Sequence, residues 1–190
     1  MLKLALDWEV LQKLRKLVGG LSYSFLGFTL DLKEGFVTDN FGQKLEYFTE
    51  GHIHILSTLL THYSEANLVP LSGKQVKFRD LPGGYAYEAA FTKRAVQPIA
   101  DVFGTNPQEL PNAAALLGGR TLAHGDASAE INALKDIPLT YIVWAKDEYP
   151  ASASILYDES ASRYLPTEDL AVLGEITSAR LIEAKKCALI

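Results

Sequence analysis

At 190 residues, 48% hydrophobic and 22% charged, the chain holds enough apolar material for one sizeable core. A single globular domain over 1–190 is expected, and wholesale disorder is excluded. The net charge of -5 argues against nucleic acid as a partner, because a phosphate backbone requires a basic face.

One cysteine, Cys187, excludes an internal disulfide and an all-cysteine metal or cluster site, and fits a reducing, cytoplasmic setting. The opening MLKLALDWEVLQ meets Asp7 and Glu9 before an apolar leader can form. No apolar run nears the roughly 20 residues that span a bilayer. Neither secretion nor membrane insertion is expected.

Residues 3–18 read as an amphipathic helix with Leu4, Trp8, Leu11, Leu14 and Val18 on one face. Asp7 and Glu9 lie early and Lys13, Arg15 and Lys16 late, which suits the helix dipole, and Gly19-Gly20 ends the run. Leu26, Phe28, Leu30 and Leu32 then alternate with Gly27, Thr29 and Asp31, the pattern of a half-buried strand. A turn at Lys33-Glu34-Gly35 leads to a partner at 36–38. His52–Ala66 is the second strong helix, with Thr49 as its cap.

A linker through Pro70 and Gly73 reaches a strand over 74–79, which Leu81-Pro82-Gly83-Gly84 stops. Tyr85–Arg94 reads as helix, Pro98 opens another that ends at Gly104, and Ala113–Leu117 is a third, closed by Gly118-Gly119. Asp126–Leu134, Leu139–Ala145 and Ser152–Tyr157 follow with short turns between them. Three such strands make an antiparallel meander. The middle one is apolar on both faces, so Trp144 is expected in the core. Thr167 caps a long final helix with Glu168 and Asp169 first and Lys185 and Lys186 last. The expected class is α+β: an antiparallel sheet containing the C-terminal meander, flanked by helices that include long N- and C-terminal ones.

No catalytic signature stands out. Asp147 and Glu148 can solvate the hairpin turn or hold a cation, and the turn is the simpler reading. Asp158 lies about 25 Å along the return strand, at ~3.3 Å per residue, too far to join them. It suits the cap of a short turn over 161–164. His54 and His62 are two helical turns apart, and His52 and His54 diverge; neither pair has metal-ligand spacing, and no metal site is expected. Cys187 and Ser22, Ser24, Ser152 and Ser154 lack a nucleophile's context. Gly83-Gly84 and Gly118-Gly119 each offer backbone N–H groups to an anion, with Arg94 or Arg120 to pair with its charge. Neither fits a P-loop or dinucleotide fingerprint. Gly83, Gly84, Arg94, Gly118, Gly119, Arg120, Asp126, Asp147 and Glu148 are therefore the candidate ligand-binding residues.

Leu81-Pro82-Gly83-Gly84, Phe91-Thr-Lys-Arg94, Gly118-Gly119 with Gly125-Asp126, Trp144-Ala-Lys-Asp147-Glu148-Tyr149-Pro150, Ile155-Leu-Tyr157-Asp158 and Tyr164-Leu-Pro-Thr-Glu168-Asp169-Leu occur in that order. Together they resemble the DUF3786 family of prokaryotic proteins from about residue 50 onward. Tyr149 and Tyr157 stand where that family more often has Phe. The family is named for lacking a known function, so the resemblance transfers no catalytic residue. It implies an anaerobic, cytoplasmic setting. Some members look like fusions to a four-cysteine iron–sulfur segment of corrinoid proteins, which implies a corrinoid or iron–sulfur partner. With one cysteine, no cluster within these residues is implied. The expected function is an accessory or binding domain linked to anaerobic redox or corrinoid/C1 metabolism. The alternative is a small-ligand binder or enzyme taking an anionic substrate at the Gly-Gly loops.

Overall fold

The computed structural model describes residues 1–42 and 49–188. In chain order these hold β1 (Leu2–Lys3), α1 (Trp8–Val18), β2 (Ser22–Phe25), β3 (Phe28–Asp31), β4 (Phe36–Asp39), α2 (Glu50–Ser64), β5 (Gln75–Lys77), α3 (Gly84–Phe91) and α4 (Gln97–Phe103). There follow α5 (Glu109–Leu116), β6 (Arg120–Leu122), β7 (Ala127–Leu134), β8 (Ile137–Trp144), β9 (Ser152–Asp158) and α6 (Thr167–Ala188). The strands form two antiparallel sheets, ordered β1-β4-β3-β2 and β5-β9-β8-β7-β6. With the helices around them this is an α+β fold, and β7-β8-β9 is the expected meander.

β8 is the middle strand of its sheet and is buried from Ile137 to Val143. Tyr141 stands opposite Ala129 on one side and Ile155 on the other. On that face lies α6. Its Leu170, Leu173, Gly174, Thr177, Ser178, Leu181 and Ala184 recur at three- and four-residue steps and are all buried. Two tyrosine hydroxyls fix the contact, Tyr157 donating to the Leu170 carbonyl at 2.8 Å and Tyr141 to that of Gly174 at 3.3 Å. A Cβ on Gly174 would lie 2.5 Å from the Tyr157 hydroxyl and 2.6 Å from the Phe91 ring. Glycine therefore costs helix propensity here and gains the close approach.

Several expectations are corrected. Trp144 is 41% exposed rather than core. It is the last residue of β8, and burial stops where the strand overhangs into the polar turn. The first helix starts at Trp8, because Leu2 and Lys3 instead pair with Val37 and Phe36; Asp7 caps it by accepting from the Val10 N–H. Trp8 lies on the exposed side, under the Arg15 guanidinium. Thr167 is the first helical residue rather than the cap, and its hydroxyl donates to the Pro82 carbonyl at 2.5 Å. The strand expected from Leu26 to Leu32 begins only at Phe28. Leu26 and Gly27, at φ 47° and 72°, form a two-residue hairpin turn that folds β2 back onto β3. The strand expected over 74–79 ends at Lys77, and Phe78–Asp80 winds into a 3₁₀ turn. α3 and α4 join through a π-helical turn, Thr92–Val96, so three helical pieces run without a break. Thr49 is the N-cap of α2 as expected, and Asp158 caps a 3₁₀ turn that runs over Glu159–Arg163 rather than 161–164.

Candidate functional site

The stripe of α6 that lies away from the meander carries Val172, Glu175, Ile176, Ala179 and Glu183, again at three- and four-residue steps. Across from it are Ile55 and Leu56 of α2, and between them enters Arg94 from the π turn. These residues line a cavity of about 430 Å³ with Phe28, His52 and Arg180 also in its walls. Its volume is that of a small-molecule site. Its length follows from the helix rise: the eleven steps from Val172 to Glu183 span roughly 16 Å. Most of the wall is apolar, and the charges are gathered at two places.

The first is Arg180, which is closed on every side. Its guanidinium takes Asp39 with two parallel bonds, Nη1 to Oδ2 at 2.8 Å and Nη2 to Oδ1 at 3.1 Å. Nη1 also donates to Glu183, Nε to the Leu26 carbonyl at 2.8 Å and Nη2 to that of Gly27 at 3.2 Å. The rings of Phe28 and Phe41 stack on it at 4.0 and 4.5 Å. Both side chains of the Arg180–Asp39 pair are nearly sealed from solvent, at 5% and 2% exposed. Such a pair is a clasp between α6 and the β2–β3 turn. Leu26 in the left-handed region costs about 1 kcal/mol or more, and the two carbonyl bonds to Arg180 offset that strain.

The second is Arg94, whose side chain is 67% exposed. Its nearest charge is Glu175, 3.6 Å away, beyond hydrogen-bond length. No hydrogen bond from its guanidinium is made among the described residues, so its donors are unspent. The π turn that carries it closes its hydrogen bond one residue later than an α-helix does, Gln97 N–H to the Thr92 carbonyl, a feature that concentrates at functional sites.

The other predicted residues are placed apart from this cavity, and their polar groups are used locally. Gly83-Gly84 follows β5, whereas Gly118-Gly119 precedes β6, and these are opposite edges of the five-stranded sheet. The structure does not bring the two loops together. The Gly84 N–H goes to the Leu81 carbonyl, and those of Gly118 and Gly119 to Ala115 and Ala114 of α5. A Cβ on Gly84 would sit 2.0 Å from the Phe78 carbonyl, and one on Gly119 2.8 Å from that of Glu130. Gly83-Gly84 opens α3 and Gly118-Gly119 closes α5, and both Gly84 and Gly119 permit tight packing. Arg120 pairs with Glu130 on the neighbouring strand at 2.9 Å. Asp126 accepts from the Ala145 N–H at 2.7 Å and ties the start of β7 to the end of β8.

Asp147 and Glu148 stay exposed in the hairpin turn, with Asp147 accepting from the Tyr149 N–H at 3.2 Å. They border a second hollow of about 470 Å³ with Asp101, Gly104 and Thr105. Among the described residues no group of three His, Cys, Asp or Glu is placed to hold a metal. His62 pairs instead with Asp169, joining α2 to the first turn of α6 at 2.5 Å. Asp158 is a hub. Burial alone would push its carboxyl up, but bonds from the Ser160 hydroxyl and N–H and the Ser72 N–H and hydroxyl hold it down at about 2.

Glu175, Ile176, Arg180 and Asp39 were not singled out from sequence. One signal was present: α6 carries apolar residues on two sides, Leu170, Leu173 and Leu181 on one and Val172 and Ile176 on the other. A helix of that kind has two packing faces.

Fold and cavity together define an α+β protein with a ligand-sized, mostly apolar hollow beside its C-terminal helix. A family model described as "Domain of unknown function (DUF3786)" matches residues 19–180, and the chain belongs to that family. The match begins well before residue 50 and so takes in β2, β3, β4 and both partners of the Arg180–Asp39 clasp. Comparison with curated proteins and with solved structures found no match.

Proposed function

We propose that this domain acts by binding a small molecule in the cavity between α2 and α6. The observation that carries the reading is an unspent guanidinium, Arg94, at the edge of an apolar hollow of about 430 Å³. Pockets that hold small ligands combine apolar walls with a few polar groups that orient the guest. Arg94 at the rim of an apolar wall is a group that orients a guest, and the reading is therefore of a binding or accessory domain. A thermal-shift screen with nucleotides, cobamides, phosphorylated metabolites and organic acids tests it. A ligand at a hundred times its dissociation constant adds roughly 2.7 kcal/mol of stability, or roughly 5–10 °C for a chain of this size. A flat response across the whole panel counts against the reading.

Family membership favours a second reading, that the domain serves a corrinoid or iron–sulfur partner in anaerobic redox or C1 metabolism. Its support is the likeness to fused members. Recovery of such a partner with the tagged protein from native cells is the expected result, and repeated recovery of none removes the idea.

A further inference from the structure

We infer that the cavity between α2 and α6 takes an organic carboxylate with an elongated apolar body, its acid group held by Arg94. The inference rests on the cavity being a binding site and adds which chemistry it selects.

The charges lining the hollow decide the sign. Arg180 and Glu183 are bonded to each other, and Arg180 further to Asp39. Arg180 has no donor left for a guest, and Glu183, with one oxygen on Arg180, offers a guest only an acceptor. Glu175 and Arg94 remain, 3.6 Å apart. A guanidinium with unspent donors gives a carboxylate two parallel N–H bonds, the geometry for which arginine is suited. Glu175, 30% exposed at its side chain, can turn to solvent as the ligand carboxylate takes its place. An ammonium group would have to compete with Arg94 for Glu175, the less exposed of the two, whereas an acid group meets the more exposed Arg94; a neutral hydroxyl would leave the guanidinium as solvated as before. The shape decides the rest. Val172, Ile176 and Ala179 of α6 face Ile55 and Leu56 of α2 along the groove, so the body behind the acid group is apolar and long rather than broad. Each pair of added methylenes that reaches the wall should then tighten binding roughly tenfold.

The test compares hexanoate, octanoate, decanoate, octanol and octylamine, all below their micellar concentrations, by melting temperature. The proteins are wild type, Arg94→Gln, Arg94→Lys and Ala179→Phe, the last at an exposed wall position where added bulk fills the hollow without entering the core. Ile55→Trp is the second filling variant. The expected result is stabilisation by the acids that grows with chain length, and little effect of octanol or octylamine. Arg94→Gln should raise the half-saturating octanoate concentration at least tenfold, Arg94→Lys should restore part of it, and the filling variants should abolish the response. If octylamine or octanol stabilises as well as octanoate, or Arg94→Gln responds like wild type, the anionic handle is wrong; filling variants that still abolish the effect then leave the cavity as a binding site. If no probe shifts the melting temperature, or both filling variants respond in full, the cavity reading itself fails.

Discussion

Arg180 and Arg94 border the same cavity and are held in opposite ways. Arg180 is sealed by Asp39, Glu183, two backbone carbonyls and two aromatic rings, with no donor left over. Arg94 has one carboxylate at 3.6 Å and open solvent. The contrast separates structure from recognition. A buried charge with every bond made is part of how the chain stays folded, whereas an exposed one beside an apolar hollow is free to meet something else.

The clasp should be the easiest part to break. Arg180→Met leaves the Asp39 carboxylate buried without its partner, and a loss of about 3–5 kcal/mol in urea denaturation is expected. A loss below about 1 kcal/mol would show that Asp39 finds solvent and that no clasp exists.

Asp158 sharpens the comparison from another corner, since it too is fully bonded. Its carboxyl lies at about 2 against an ordinary 3.8. A depressed carboxylate contributes stability above its unfolded pKa and loses it as pH falls through the folded one. The contribution, about 2 kcal/mol, should therefore be present at neutral pH and fade between about pH 5 and 2. Asp158→Asn should lose that amount at pH 7 and flatten the acid limb of the stability curve; an unchanged limb contradicts the assignment.

Gly174→Ala should destabilise by about 2 kcal/mol despite alanine's better helix propensity, because the new methyl meets Tyr157 and Phe91. A gain in stability would mean that α6 lies less tightly on the meander. Trp144→Ala, at a half-exposed strand end, should cost only about 1 kcal/mol; a loss above about 3 kcal/mol would return that residue to the core.

Much of the frame is legible because it is written locally. The β8–β9 hairpin shows in an apolar run followed by a polar turn with proline, and α2 in its apolar spacing and its threonine cap. Asp158 shows as a cap, although its bonds to Ser72 and Gly73 come from a distant loop. In two places where the reading failed, a partner far along the chain had decided the outcome. Leu26 stands in a left-handed turn because Arg180 holds its carbonyl. Leu2 and Lys3 leave the helical pattern to pair with β4. The glycine pairs looked like anion loops, but the N–H groups of Gly84, Gly118 and Gly119 are taken by carbonyls of the preceding turn or helix, and the missing side chains of Gly84 and Gly119 admit neighbouring backbone. Of the candidate residues only Arg94 lines the cavity, and nothing nearby in sequence marks its π turn.

The most direct test of the division between the two arginines is to take wild type and Arg94→Gln through octanoate calorimetry and urea denaturation side by side. The expected outcome is a variant within about 0.5 kcal/mol of wild type in stability, as for an exposed residue, with octanoate binding weakened at least tenfold. A variant that loses more than about 2 kcal/mol of stability while binding octanoate as wild type does would make Arg94 a structural residue like Arg180, and would contradict the account.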